Sequence, residues 1–112
     1  MGEGNKRRAV RIRRPIEVIY QADCPPITAR IEDVSETGAF IETSHPLTVG
    51  TVVEFVFSLP GAPERTIEGR GKVVWADPVV GVGIEFEDLS PLQQSRIKFF
   101  VASEFFDEGG ES

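Results

Sequence analysis

Six short runs in which apolar and polar residues alternate with a period of two, set between turn signals, constrain this chain more than any other feature. Such alternation gives a strand one apolar and one polar face. Ile16, Val18 and Tyr20 share a face of IEVIY. Ile27, Ala29 and Ile31 alternate with Thr28, Arg30 and Glu32, and AFIE follows Gly38. Val53, Phe55 and Phe57 line one side of VVEFVFS, which the PGAP turn at 60–63 closes. The next strand is longer, with Ile67, Gly69, Gly71, Val73 and Trp75 of one parity. Its two mid-strand glycines predict a bulge or a barrel corner. Val80, Val82, Ile84 and Phe86 then alternate with Gly81, Gly83, Glu85 and Glu87.

The period changes after Asp88. Ser90-Pro91-Leu92-Gln93 supplies an N-cap serine, a proline at the first helical position and a glutamine placed for a capping box. Ile97, Val101 and Phe105, widened by Phe100, form a stripe that packs a helix onto the strands. Six strands and one C-terminal helix predict a mainly β fold, a six-stranded antiparallel β-barrel, because closure removes the edges that short strands would expose. The barrel and helix are expected over 15–106, after a flexible basic arm over 1–14 and before a disordered acidic tail over 107–112.

Charge divides the chain at the same place. The net charge is −6. The first fourteen residues hold six basic groups against one acid, a balance of +5, while the other 98 hold six basic and seventeen acidic groups, a balance of −11. A cationic arm therefore precedes an anionic body, and the body argues against polymeric nucleic acid as a partner. A single cysteine, Cys24, excludes an internal disulfide, and a single histidine, His45, leaves no Cys/His zinc site. No apolar run reaches spanning length and no signal core follows the basic residues, so no membrane insertion and a cytoplasmic location are expected.

Two segments have the chemistry of a ligand site. In the arm, arginine outnumbers lysine five to one, and its planar fork suits phosphate or the O6/N7 edge of guanine. Arg7 and Arg11 lie four apart, about 13 Å on an extended chain, so both can hold one compact anion. The second segment is Asp33-Val34-Ser35-Glu36-Thr37-Gly38. It reads as a hairpin turn, with Asp, Ser and Thr bonding nearby backbone and Gly38 supplying a positive φ. Asp33 also has the parity of Ile27, Ala29 and Ile31, and an ionisable group ending an apolar row needs a partner. A carboxylate accepts from paired donors such as N1–H and N2–H₂ of guanine, with Ser35 serving a second polar atom. Trp75 fits core packing by parity or, at its strand end, stacking on a base. His45 reads as a surface residue, and no nucleophile elbow or dinucleotide fingerprint is present, so no catalytic residue is expected.

Together the segments resemble the signature of the PilZ domain family: RxxxR at Arg7-Arg8-Ala9-Val10-Arg11, then (D/N)xSxxG at residues 33–38. The order and separation of the motifs, the GAFIE and KVVWAD strands and the GVGIEFEDLS stretch fit it over roughly residues 6–105. The resemblance implies a six-stranded barrel with a C-terminal helix and a non-enzymatic bacterial receptor for cyclic di-GMP, with no cofactor or metal. It implies that Arg7 and Arg11 grip guanine and phosphate oxygens with Arg8 assisting, that Asp33 and Ser35 read a guanine, and that Gly38 keeps the turn open. An aromatic near Trp75 stacks on a base in some members. Lys6, just before RxxxR, stands where members differ in binding one ligand or an intercalated pair. A monomer or weak dimer signalling through a protein partner is expected, since so short a chain offers no output domain. The alternative is a ligand-independent adaptor of a pilus or motility assembly.

Overall fold

The computed structural model describes residues 12–22, 25–45, 47–60 and 66–109, with side chains described through residue 104. Its elements are β1 (Ile16–Gln21), β2 (Ile27–Val34), β3 (Gly38–Glu42), β4 (Val52–Ser58), β5 (Thr66–Asp77), β6 (Gly81–Glu87) and α1 (Pro91–Gly109). The strands pair antiparallel in the order β1-β2-β3-β6-β5-β4, and β1 pairs with β4 to close the barrel. The expected mainly β barrel with one C-terminal helix is the observed fold.

The period-two rows fill the interior. Ile16, Val18 and Tyr20, then Val53, Phe55 and Phe57, then Ile67 and Val73 are all buried in one cluster with Val82 and Ile84. Tyr20, although buried, keeps its hydroxyl satisfied at 2.8 Å from Thr43 Oγ1. The mid-strand glycines of β5 make room for neighbouring side chains, and neither is the site of the bulge. A Cβ at Gly69 would run into the Leu89 side chain, and one at Gly71 would crowd Ile84. The bulge of β5 falls further on, between Val73 and Trp75.

Ser90 caps α1 by accepting the Gln93 backbone N–H at 3.2 Å. Gln93 does not complete the reciprocal box. Its side-chain carbonyl accepts the Glu68 N–H, and Arg96 donates to the Thr66 carbonyl at 3.2 Å. The ladder between β5 and β6 begins only at Arg70, so the first turns of α1 satisfy backbone groups that β6 does not reach. Ile97, Phe100 and Val101 are buried in the barrel core, while Phe99 is exposed. Phe105 and Phe106 lie outside the described side chains. The helical backbone runs to Gly109, past the expected boundary at 106 and ending on a residue suited to a helix C-terminus.

The arm's boundary also moves. Ile12, the one large apolar residue among the arginines at 11–14, is only 2% exposed and forms an isolated antiparallel bridge with Val34. The expected arm over 1–14 therefore joins the barrel already at residue 12. Among the described residues, no helix is long and apolar enough to cross a membrane.

Candidate ligand-binding site

The end of β2 leads into the DVSETG turn and receives the chain at Ile12, just after the arginine motif. The Ile12 N–H donates to the Val34 carbonyl at 2.8 Å, and the Val34 N–H donates back to Ile12 at 3.0 Å. This reciprocal pair fixes the incoming chain beside the residues flanking Val34, which are Asp33 and Ser35. Arg7, Arg8 and Arg11 lie outside the described residues, as does Lys6.

Asp33 does not continue the inward row of Ile27, Ala29 and Ile31. The register between β2 and β3 shifts between Ile31 and Asp33, so β2 carries one extra residue, Glu32. A bulge of this kind resets the alternation. Val34 turns into the core instead, and Glu32 and Asp33 are both half-buried on the outer side. The parity expected for Asp33 is thus corrected, and its carboxylate sits in a surface groove rather than at the rim of the interior.

Ser35 is 0% exposed and is spent on the turn. Its Oγ accepts from the Thr37 N–H at 3.2 Å and the Gly38 N–H at 3.3 Å and lies 3.2 Å from Thr37 Oγ1. The Ser35 N–H donates to the Gly38 carbonyl at 2.8 Å, and the Thr37 carbonyl accepts the Phe86 N–H at 2.8 Å. In this geometry the serine positions the turn. Gly38 likewise differs from expectation: its φ is not in the left-handed region, where the structure places Gly50 and Gly81 among its glycines. What requires glycine is the approach of β6, because a Cβ at residue 38 would collide with the Ile84 carbonyl oxygen.

Trp75 is not a core residue. A bulge at Val74 leaves both Val74 and Trp75 on the outer face, with Trp75 49% exposed. It belongs instead to a cross-strand row. Asp33 pairs with Phe40, Phe40 with Gly83, and Gly83 with Trp75. Because Gly83 has no side chain, the Phe40 and Trp75 rings meet above it with centroids 5.6 Å apart and planes at 50°. Three strand spacings separate Asp33 from Trp75, about 14 Å, so a carboxylate and an aromatic ledge face the same ligand-sized space.

A groove of about 460 Å³ lies along this row, lined by Arg13, Glu32, Asp33, Phe40, Glu42, Val79 and Val80. Sequence reasoning missed Phe40, although the alternation of AFIE turns it away from buried Ala39 and Ile41, and missed the valines of the β5–β6 turn. Acid groups crowd the groove. Arg30 holds Glu42 at 2.7 Å and reaches Glu32 at 3.6 Å. The Glu32 carboxyl is raised above its ordinary range by a hydrogen bond shared with Glu42, by desolvation and by the Glu42 charge, against the opposing pull of Arg30 and Arg13. Glu42 is lowered, first by the hydrogen bond from Arg30 and then by the one with Glu32.

A larger groove of about 720 Å³ lies on the other side of the turn and carries Glu36, Glu85 and Asp88 against Lys98. Like the first groove it holds three carboxylates and one cation, but no arginine and neither ring of the Phe40–Trp75 pair lines it. Asp88 is moreover paired with Arg70 at 3.1 Å, and His45 is exposed in its loop. Among the described residues, no cluster of three or more His, Cys, Asp or Glu is placed to hold a metal ion.

Known structures share the barrel. Bacillus subtilis MotI/DgrA, an inhibitor of motility, superposes with a TM-score of 0.78 at 18% identity over 91% of this chain and 52% of its own. The chain thus spans about half the length of that protein. The PilZ domain of Escherichia coli YcgR, solved with c-di-GMP, gives a TM-score of 0.68 at 18% identity, covering 96% of this chain and all of the other. The PilZ domain of CeSA from a cellulose-synthesizing bacterium gives 0.64 at 23% identity, covering 84% and 96%. At these identities the likeness establishes the fold. No curated protein matches the chain in sequence. The family model described as PilZ domain matches residues 5–103, nearly the whole chain, and with the barrel, its helix and the DVSETG turn in place, the chain belongs to the PilZ domain family.

Proposed function

We propose that this chain is a cyclic di-GMP receptor, not an enzyme, that binds the dinucleotide between its N-terminal arginines and the groove beside Asp33. The observation that carries this reading is the Ile12–Val34 bridge, which holds the end of the arginine segment against the strand bearing Asp33. Arg11 is bonded directly to Ile12, and Arg7 is five residues from it. The ligand has two phosphate charges and two guanines. Arginine forks serve the phosphates and the O6/N7 edges, Asp33 accepts from the N1–H and N2–H₂ edge, and the Phe40–Trp75 ledge offers a stacking face. Ser35 and Gly38 act by holding the turn that presents Asp33.

The arm closes over the ligand, its positive charge is neutralised, and the covered surface is what a protein partner in the bacterial cytoplasm reads. Motility control is the natural setting, since a motility inhibitor and the c-di-GMP-bound domain of YcgR share the fold. Each good arginine–guanine pair contributes about 1–3 kcal/mol. Calorimetric titration of cyclic di-GMP is expected to show micromolar or tighter binding to the wild type, weakened at least about tenfold by Arg11→Ala and by Asp33→Ala. A wild-type protein that takes up no ligand at tens of micromolar overturns the proposal. A partner captured equally with and without ligand would favour the ligand-independent adaptor.

A further inference from the structure

The described arginines of the barrel are committed, with one exception. Arg14 donates to Glu104 at 2.7 Å, Arg30 holds Glu42 at 2.7 Å, Arg70 holds Asp88 at 3.1 Å, and Arg96 donates to the Thr66 carbonyl. Arg13 forms no ion pair with a described residue, yet its charge reaches the site, where it opposes the upward shift of Glu32. Its position is built rather than incidental. Ile12 is buried and bonded both ways to Val34, so the next side chain points outward, and the antiparallel direction sets Arg13 beside Asp33. It is the single cation among the described residues lining the groove, against Glu32, Asp33 and Glu42.

Three carboxylates would repel a phosphate from this groove, so an anionic ligand enters only with a cation stationed there. We infer that Arg13, outside the RxxxR motif, is a further ligand-binding residue. It takes a phosphate of the dinucleotide at the groove mouth while the base lies toward Asp33 and Phe40. The Ile12 bridge fixes the adjoining backbone on the barrel, so Arg13 stands at the groove before the ligand arrives. This inference rests on the proposed cyclic di-GMP reading.

Arg14 provides a matched control, since Arg14→Ala removes the same charge one residue away from a side chain already held by Glu104. Cyclic di-GMP is titrated into wild type, Arg13→Ala, Arg13→Lys and Arg14→Ala at several salt concentrations, with urea midpoints checking the fold. Arg13→Ala is expected to weaken binding about ten- to one-hundred-fold, the range of a charge-assisted hydrogen bond. Arg13→Lys should fall between, and Arg14→Ala should stay within about threefold of wild type. Arg13→Ala should also flatten the salt dependence, which a purely structural role would not change. Wild-type affinity in Arg13→Ala, or equal losses in Arg13→Ala and Arg14→Ala, overturns the inference while leaving the receptor reading intact. No binding by the wild type overturns both.

Discussion

At Gly38 the backbones of β3 and β6 run so close that a Cβ would strike the Ile84 carbonyl oxygen. Gly38→Ala must therefore push the strands apart at the Gly38–Glu85 pair or distort the turn that Ser35 holds. A loss of roughly 1–3 kcal/mol is expected, read as a lower urea midpoint with an unchanged slope, together with weaker ligand binding, because Asp33 is presented by the same turn. An alanine variant as stable as wild type would contradict the crowded geometry. A glycine between SET and AFIE is legible in the sequence as a requirement, but its cause is not. Positive φ and close approach both select glycine, and only the register of β3 on β6 separates them. Ser35 is similar: DxS in a turn announces hydroxyl chemistry, yet whether the hydroxyl faces a ligand or the backbone depends on a side-chain direction that spacing alone does not give.

Bulges explain most of what alternation misreads among the elements. Ile31 and Val73 are the last inward residues that strict period-two counting places correctly on β2 and β5. One inserted residue after each, Glu32 and Val74, moves Asp33 and Trp75 to the outside, where both line or flank the groove. The barrel survives the error because each bulge lies near a strand end, after the core positions are filled. The bulge on β2 also creates the Glu32–Glu42 carboxyl pair, faced by Arg30, Arg13 and Asp33. Glu32 is raised, so its contribution to stability is present below its unfolded value and is lost as pH rises through the folded one. Glu42 is lowered and runs oppositely, contributing above its unfolded value and losing that as pH falls. Glu32→Gln cannot ionise. Its stability relative to wild type should therefore rise from acid toward neutral pH and the difference should vanish in acid, as measured by urea midpoints across that range. A difference independent of pH would show that Glu32 titrates normally.

The molecule as a whole is a closed ring with a helix sealing strand groups that the ring leaves unpaired. Among the described strands the ring has no open edge from which to unzip, so the barrel and α1 should melt together. Ile97→Ala empties a core position shared by both and should cost about 2–5 kcal/mol, whereas Leu92→Ala on the exposed face should stay within about 0.5 kcal/mol. Trp75, the single tryptophan and outside the core, allows the check: its fluorescence and the far-ultraviolet circular dichroism should shift together in Ile97→Ala, and separate transitions would mean that the helix detaches alone. The Ile12–Val34 bridge has a consequence at the same scale. Arg7 is five residues from that anchor, and a chain of that length spans at most about 17 Å. In the proposed receptor, a motif tethered this closely would meet a ligand on the barrel as an intramolecular partner, at an effective concentration on the order of millimolar or above. Under that reading the residence time of the ligand would be set by how readily a tether of a few residues lets go, not by a second encounter from solution.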